Sequence, residues 1–123
     1  MKRYTLQIGT ISIPLKLRGT NTASVIKEKL PLSGKGHKWG MEFYFNTFLD
    51  IKLENDAKDI ITKGEIAFWP NGGAIAIGYG PTPISINNEI RLADKCNIWA
   101  DTEYNLSELD NVTNDVMIPV KCE

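Results

Sequence analysis

The chain has 123 residues, 42% hydrophobic and 24% charged, with 14 basic against 15 acidic side chains and a formal net charge of -1. That length buries one core but not two, so residues 1–123 read as a single domain. The near-balance of charge argues against a dedicated nucleic-acid binder, which carries a basic excess to neutralise phosphates.

From the N-terminus, Met1 to Gly9 carries positive charge without an apolar segment behind it. It reads as an entering strand and not as a secretion signal. Ile11, Ile13, Leu15 and Leu17 alternate with Ser12, Pro14 and Lys16, the period of a half-buried strand, and Gly9-Thr10 between the two runs predicts a hairpin. Pro14 lacks a backbone donor and calls for a free edge or a bulge. Thr20-Asn21-Thr22 offers N-cap chemistry ahead of Ala23, Val25, Ile26 and Leu30, a helix of about three turns that Pro31 ends.

Ser33-Gly34-Lys35-Gly36 reads as a flexible loop leading into an aromatic strand, Trp39 to Phe45. On that strand Trp39, Met41, Phe43 and Phe45 would face one way, Glu42 and Tyr44 the other. Leu49, Ile51 and Leu53 suggest a short strand, and Asp56 to Ile61 a turn or strand. Gly64 to Trp69 and Ala74 to Tyr79 are strands flanking the break Pro70-Asn71-Gly72-Gly73. The small residues between the isoleucines of the second run mark a tightly curved sheet with close backbone approach. Gly80-Pro81-Thr82-Pro83 is a rigid corner. After a polar loop, Cys96 to Ala100 forms a strand, Leu106, Leu109 and Val112 a short helix, and Val116, Ile118 and Val120 the closing strand. About eight evenly spaced strands and two helices favour a mainly β barrel or sandwich, and a helix at each end closes a barrel naturally.

Several segments carry a likeness to a known family. A helix closing on Lys27-Glu28-Lys29-Leu30-Pro31 precedes Trp39-Gly40-x-Glu42-x-Tyr44-Phe45. Gly64-Glu65-Ile66-Ala67-Phe68-Trp69-Pro70-x-Gly72-x-Ala74 and Gly80-Pro81-Thr82-Pro83-x-Ser85 follow. In combination these resemble the small prokaryotic cyclophilin-like barrels, a branch of the cyclophilin superfamily whose function is largely unassigned. The resemblance implies a closed eight-stranded barrel capped by two helices. It also raises peptidyl-prolyl isomerisation as an activity. Proline isomerases of that superfamily use an arginine beside a Phe-rich pocket, whereas the corresponding strand here carries Glu42 and Tyr44. A carboxylate cannot replace a guanidinium that donates hydrogen bonds to the prolyl amide.

The candidate site is therefore a pocket beside the aromatic strand, with Trp39, Glu42, Tyr44, Trp69 and Thr82 as ligand-binding residues. Glu42 and Tyr44 share a strand face, and burial there would raise the carboxylate pKa into a useful range. The bland alternative leaves both facing solvent, the tryptophans in the core and Thr82 in a structural corner. His37, the one histidine, reads as a solvated loop residue, and Asp94, Asp101 and Glu103 as surface acids. Cys96 and Cys122 lack zinc spacing and are too few for a disulfide scaffold, so they read as reduced thiols in or near the core. No cofactor and no metal site is expected, and Asn71-Gly72-Gly73 lacks the lysine and helix of a phosphate loop. No run reaches the roughly 18 apolar residues that cross a bilayer, so no membrane partner is expected and the cytoplasm is the expected location. Three functions compete: a module binding a peptide or small molecule, an enzyme (an atypical prolyl isomerase or an acid/base catalyst using Glu42), and a structural role with a homodimer contact through the Pro14 strand and exposed aromatics.

Overall fold

The computed structural model describes residues 3–112 and 118–122, the latter by backbone alone. Along the chain run β1 (Tyr4–Ile8), β2 (Ile11–Leu17), helix α1 (Asn21–Lys29), β3 (Leu32–Lys38), β4 (Glu42–Asn46) and β5 (Lys58–Ile61). They are followed by β6 (Glu65–Trp69), β7 (Ala74–Gly78), β8 (Ile90–Asp101), a 3-10 helix (Leu106–Asn111) and β9 (Ile118–Cys122). Strands neighbour one another in the order β2-β1-β9-β3-β4-β7-β6-β8, and β2 returns to pair with β8. Eight antiparallel strands thus close a barrel, as the spacing predicts. The ninth, β5, adds to the first half of β8 outside the ring, through Lys58↔Cys96 and Ile61↔Ile90.

The entry hairpin follows the alternation. Its register runs from Ile8↔Ile11 to Tyr4↔Leu15, and Gly9 turns the chain at φ +58°, where a Cβ would be strained. Leu6, Ile8, Ile13 and Leu15 point into the barrel. Pro14 faces Thr5 on one side, and β8 reaches β2 only at Lys16 and Leu17, so the missing donor falls on a free edge. Thr20 caps α1 by accepting from the Ala23 N–H at 3.1 Å. The fully buried Asn97 joins α1 to the barrel: its Nδ2 donates to Thr22 Oγ1 at 3.0 Å and to the Lys52 carbonyl at 2.9 Å, and its Oδ1 accepts from the Glu54 N–H at 2.8 Å.

Four expectations change. The glycine-rich segment 33–36 is part of β3, laddered to β9 from Leu32↔Cys122 to Gly36↔Ile118. Local composition favours a loop, but pairing with a strand some 85 residues away overrides it, and a Cβ at Gly34 would lie 3.4 Å from the Phe45 ring. Residues 49–53 form no strand. Asn46 Oδ1 and Thr47 Oγ1 accept from the Phe48 and Leu49 N–H groups and turn the chain there. The aromatic strand begins only at Glu42, because Gly40, at φ +58°, makes a turn. β8 starts six residues before Cys96, at Ile90, while the short helix expected after Asn105 is present as a 3-10 helix. Val116, expected in the closing strand, lies outside the described residues.

Two apolar layers result. Phe43, Phe45, Ile66, Phe68, Ile75, Ile77 and Trp99 fill the barrel interior, closed by Ile26 of α1 and by Leu106 and Leu109 of the 3-10 helix. Ile61, Ala67, Ala76, Ile90, Leu92, Cys96 and Ile98 form a second layer on the outer wall. A bulge separates them on β8: Ile66 pairs with Ala100 but Ala67 with Ile98, so Trp99 and Ala100 both turn inward while Ile98 turns out.

Candidate functional site

The outer wall of the barrel is hollow where its residues are small. In the β4–β7 ladder Glu42 faces Gly78 and Tyr44 faces Ala76, and in the β6–β7 ladder Ala67 faces Ala76. This row of alanine and glycine leaves a trough between larger side chains. The first half of β8 folds over it, seated by Gly78, where a Cβ would lie 2.4 Å from Ile90 Cγ2. The result is a cavity of about 160 Å³ lined by Trp39, Glu42, Tyr44, Trp69, Ala76, Leu92, Ala93 and Cys96.

Glu42 is the charged group in that lining. It is 6% exposed, and its Oε1 is buried without a hydrogen-bond partner among the described residues. Desolvation pushes its carboxyl up to about 7, so near neutrality it exchanges between a proton donor and an anion. Cys96 stands across the cavity, its thiol donating to the Asp94 carbonyl at 3.4 Å. Burial, with the Glu42 carboxylate adding to it, pushes that thiol up to about 12, so it stays neutral and a poor nucleophile. The Trp69 indole N–H donates to Asp94 Oδ2 at 3.5 Å, which sets the ring as a wall. Behind it Gly72 leaves room for the indole, since a Cβ there would lie 2.2 Å from Trp69 Cε3. Tyr44 rests against His37 of β3, with ring centroids 5.3 Å apart.

The structure gathers four of the five expected residues around one cavity: Trp39, Glu42, Tyr44 and Trp69. Thr82 stands apart. Its N–H donates to Ser85 Oγ at 2.9 Å and its hydroxyl donates to the Arg91 carbonyl, which locks the corner from within. That corner positions the site indirectly. The Met41 N–H donates to the Pro81 carbonyl at 3.0 Å, and Gly40 abuts Thr82 so closely that a Cβ would meet its Cα at 2.8 Å. The turn carrying Trp39 is held there. His37 is exposed on β3. Asp94, expected as a plain surface acid, orients Trp69, and Asp101 binds Arg18 through two contacts of 2.8 Å. Sequence reasoning missed Leu92 and Ala93, because the polar stretch before Cys96 hid the first half of β8. The small residues at Ala74, Ala76 and Gly78 were the visible sign of the trough.

The sequence profile of the cyclophilin-like family matches residues 2–121. This chain belongs to the cyclophilin-like family. Among solved structures, this cyclophilin-like barrel is similar to the solution structure of the hypothetical protein AF2241 from Archaeoglobus fulgidus. The two share 28% sequence identity and a TM-score of 0.80, over 98% of this chain and 92% of that one. A comparison with curated proteins finds no match. No helix among the described residues of this cyclophilin-like protein is long and apolar enough to cross a membrane, and no group of three or more metal-ligating side chains occurs among them.

Proposed function

We propose that this cyclophilin-like protein is a binding module, which takes a small molecule or a short group projecting from a peptide into the outer cavity. Glu42 is its polar anchor, and Trp39, Tyr44 and Trp69 frame it. The observation that carries this reading is the Glu42 oxygen, buried without a partner among the described residues in an otherwise apolar, aromatic cavity. Buried polar groups are almost always satisfied, and leaving one bare costs about 1–3 kcal/mol. A carboxyl kept in that state in the wall of a preformed cavity points to a ligand that completes it. The neutral Cys96 thiol supports binding over nucleophilic catalysis.

Prolyl isomerisation is the weaker reading. No arginine lines the cavity. Arg18 is engaged by Asp101 and Glu65, and Arg91 by Glu89 and Asp59. A proline-peptide isomerisation assay is expected to give the rate of buffer alone. The binding reading is tested by an NMR-detected fragment screen. Expected hits shift the amides of Glu42, Tyr44, Ala76 and Cys96 and weaken about tenfold or more on Glu42→Gln. A screen in which no compound moves those residues overturns it.

A further inference from the structure

The chemistry of the cavity wall narrows what it can hold. Its eight lining residues include one acid, no lysine and no arginine. A second carboxylate, Asp94, sits behind the Trp69 indole and holds it. Other titratable groups lie about it: the Tyr44 phenol from β4, with His37 of β3 beyond it, the Cys96 thiol from β8, and, outside the lining, Asp59 of β5, whose charge reaches Cys96 but is paired with Arg91 at 3.4 Å. The nearest cations are already engaged or outside. Lys58 faces Cys96 in the β5–β8 ladder, but its ammonium is bound to Glu65 at 2.8 Å, and Lys95 is exposed beside Asp94. An anionic ligand would thus meet like charge with nothing to offset it.

Three aromatic side chains, two indoles and a phenol, share the cavity with Glu42. Aromatic faces carry negative quadrupoles that attract a cation, most strongly where water is excluded. Ala76, Leu92 and the neutral Cys96 supply an apolar floor suited to methyl or methylene groups. The volume, about 160 Å³, compares with apolar cavities of about 150 Å³ that take a six-carbon ring. It admits a compact cationic head and little more.

We infer that the group bound in the Trp39–Glu42–Tyr44–Trp69 cavity is a small organic ammonium, held by the Glu42 carboxylate and the surrounding aromatic rings. This rests on the reading of the cavity as a binding site and names its ligand class. Two sources share that chemistry: a free amine or quaternary ammonium compound, and the lysine or methyl-lysine side chain of a partner protein. The main competitor is a neutral hydrogen-bond acceptor held by the protonated form of Glu42. The two differ in sign. An ammonium favours the ionised carboxylate, so binding expels a proton and tightens as pH rises; a neutral acceptor favours the protonated carboxyl, so binding takes up a proton and weakens as pH rises.

The test is calorimetric titration of the whole protein with choline chloride and, in parallel, with its neutral tert-butyl isostere, in which carbon replaces nitrogen. Both are run at pH 7 in buffers of different ionisation heat. Choline is expected to bind about tenfold tighter than the isostere, the gain of a cation at a desolvated aromatic site, with net proton release. Glu42→Gln should abolish the preference for choline, and an amide NMR spectrum unchanged outside the cavity shows that the variant is folded. Equal or tighter binding of the isostere, or proton uptake, overturns the ammonium assignment and leaves the binding site standing. Failure of both probes, together with a failed fragment screen, overturns assignment and site alike. A third arm, a short peptide carrying trimethyl-lysine, separates the sources. Tighter binding of the peptide than of choline assigns the cavity to a protein side chain, and the reverse order assigns it to a free ammonium compound.

Discussion

Glu65 on β6 and Glu42 on β4 make an instructive pair, because the same side chain is treated in opposite ways. Glu65 accepts from Arg18 at 3.0 Å, from Lys58 at 2.8 Å and from the Thr62 N–H at 2.7 Å. Burial alone would raise its carboxyl, but Lys58, the Thr62 amide and Arg18 outweigh that and hold it below the ordinary range. Glu42 is desolvated more fully, has no partner for one oxygen among the described residues, and rises to about 7. One carboxylate is satisfied by the fold and serves it. The other keeps one oxygen without a partner among the described residues.

The largest expected effect that separates the two lies in the pH dependence of stability. Glu42 titrates at about 7 in the folded protein against an ordinary 4.5, so the folded state holds its proton more tightly than the unfolded state. The stability this gives is complete below about pH 4.5 and is lost as pH rises through 7, by about 3 kcal/mol in all. Glu65 and Asp101, held low, contribute stability that is present above their ordinary pKa and lost as pH falls through their folded values. Denaturant unfolding should therefore show a fall in stability between pH 5 and 8, and Glu42→Gln should flatten it. A wild-type profile that is level over that range would break the contrast.

Glu65→Gln comes next. It leaves Arg18 and Lys58 short of a counter-charge, but both side chains are more than a third exposed, so the expected loss is about 1–2 kcal/mol at pH 7, read from the urea midpoint. Glu42→Gln at the same pH should be neutral or stabilising, and the opposite signs are the test. The smallest effect is expected from Gly72→Ala. Its Cβ would displace the Trp69 ring, with a stability loss of about 1 kcal/mol. The readout is a shift of the Trp69 indole N–H resonance and weaker probe binding in the cavity, with the Glu65 cluster unaffected.

Much of the barrel was legible because alternation is a local signal. Ile11, Ile13, Leu15 and Phe43, Phe45 announce their faces without knowledge of a partner. What stayed hidden depends on distant chain. Segment 33–36 becomes a strand only because β9 lies beside it, and the first half of β8 looks polar because it is bonded to β5 and packed over a trough of alanines. The candidate site was half legible for the same reason. Glu42 and Tyr44 declare a common face by spacing alone, but whether that face opens on water or on a cavity is decided by Ala76, Gly78 and Leu92, which lie on other strands. Thr82 was suggested by its rigid corner. The corner is rigid because its own polar groups are bonded to Ser85 and Arg91, and that leaves the hydroxyl committed.

The barrel closes between β2 and β8 through only two residue pairs, Lys16↔Asp101 and Leu17↔Ala100, with Arg18 clasping Asp101 beside them. Viewed in time, that join and the β3–β4 ladder, also of two pairs, are where the ring should part first. The β4–β7–β6–β8 quadrant, laddered by four or five pairs at each contact, stays whole while the join opens. Amide protons at Lys16, Leu17 and Arg18 would then trade with solvent well before those of Phe43, Ile75 and Ala76. The molecule would breathe at the two edges of the quadrant that carries Glu42 while the quadrant itself keeps its shape.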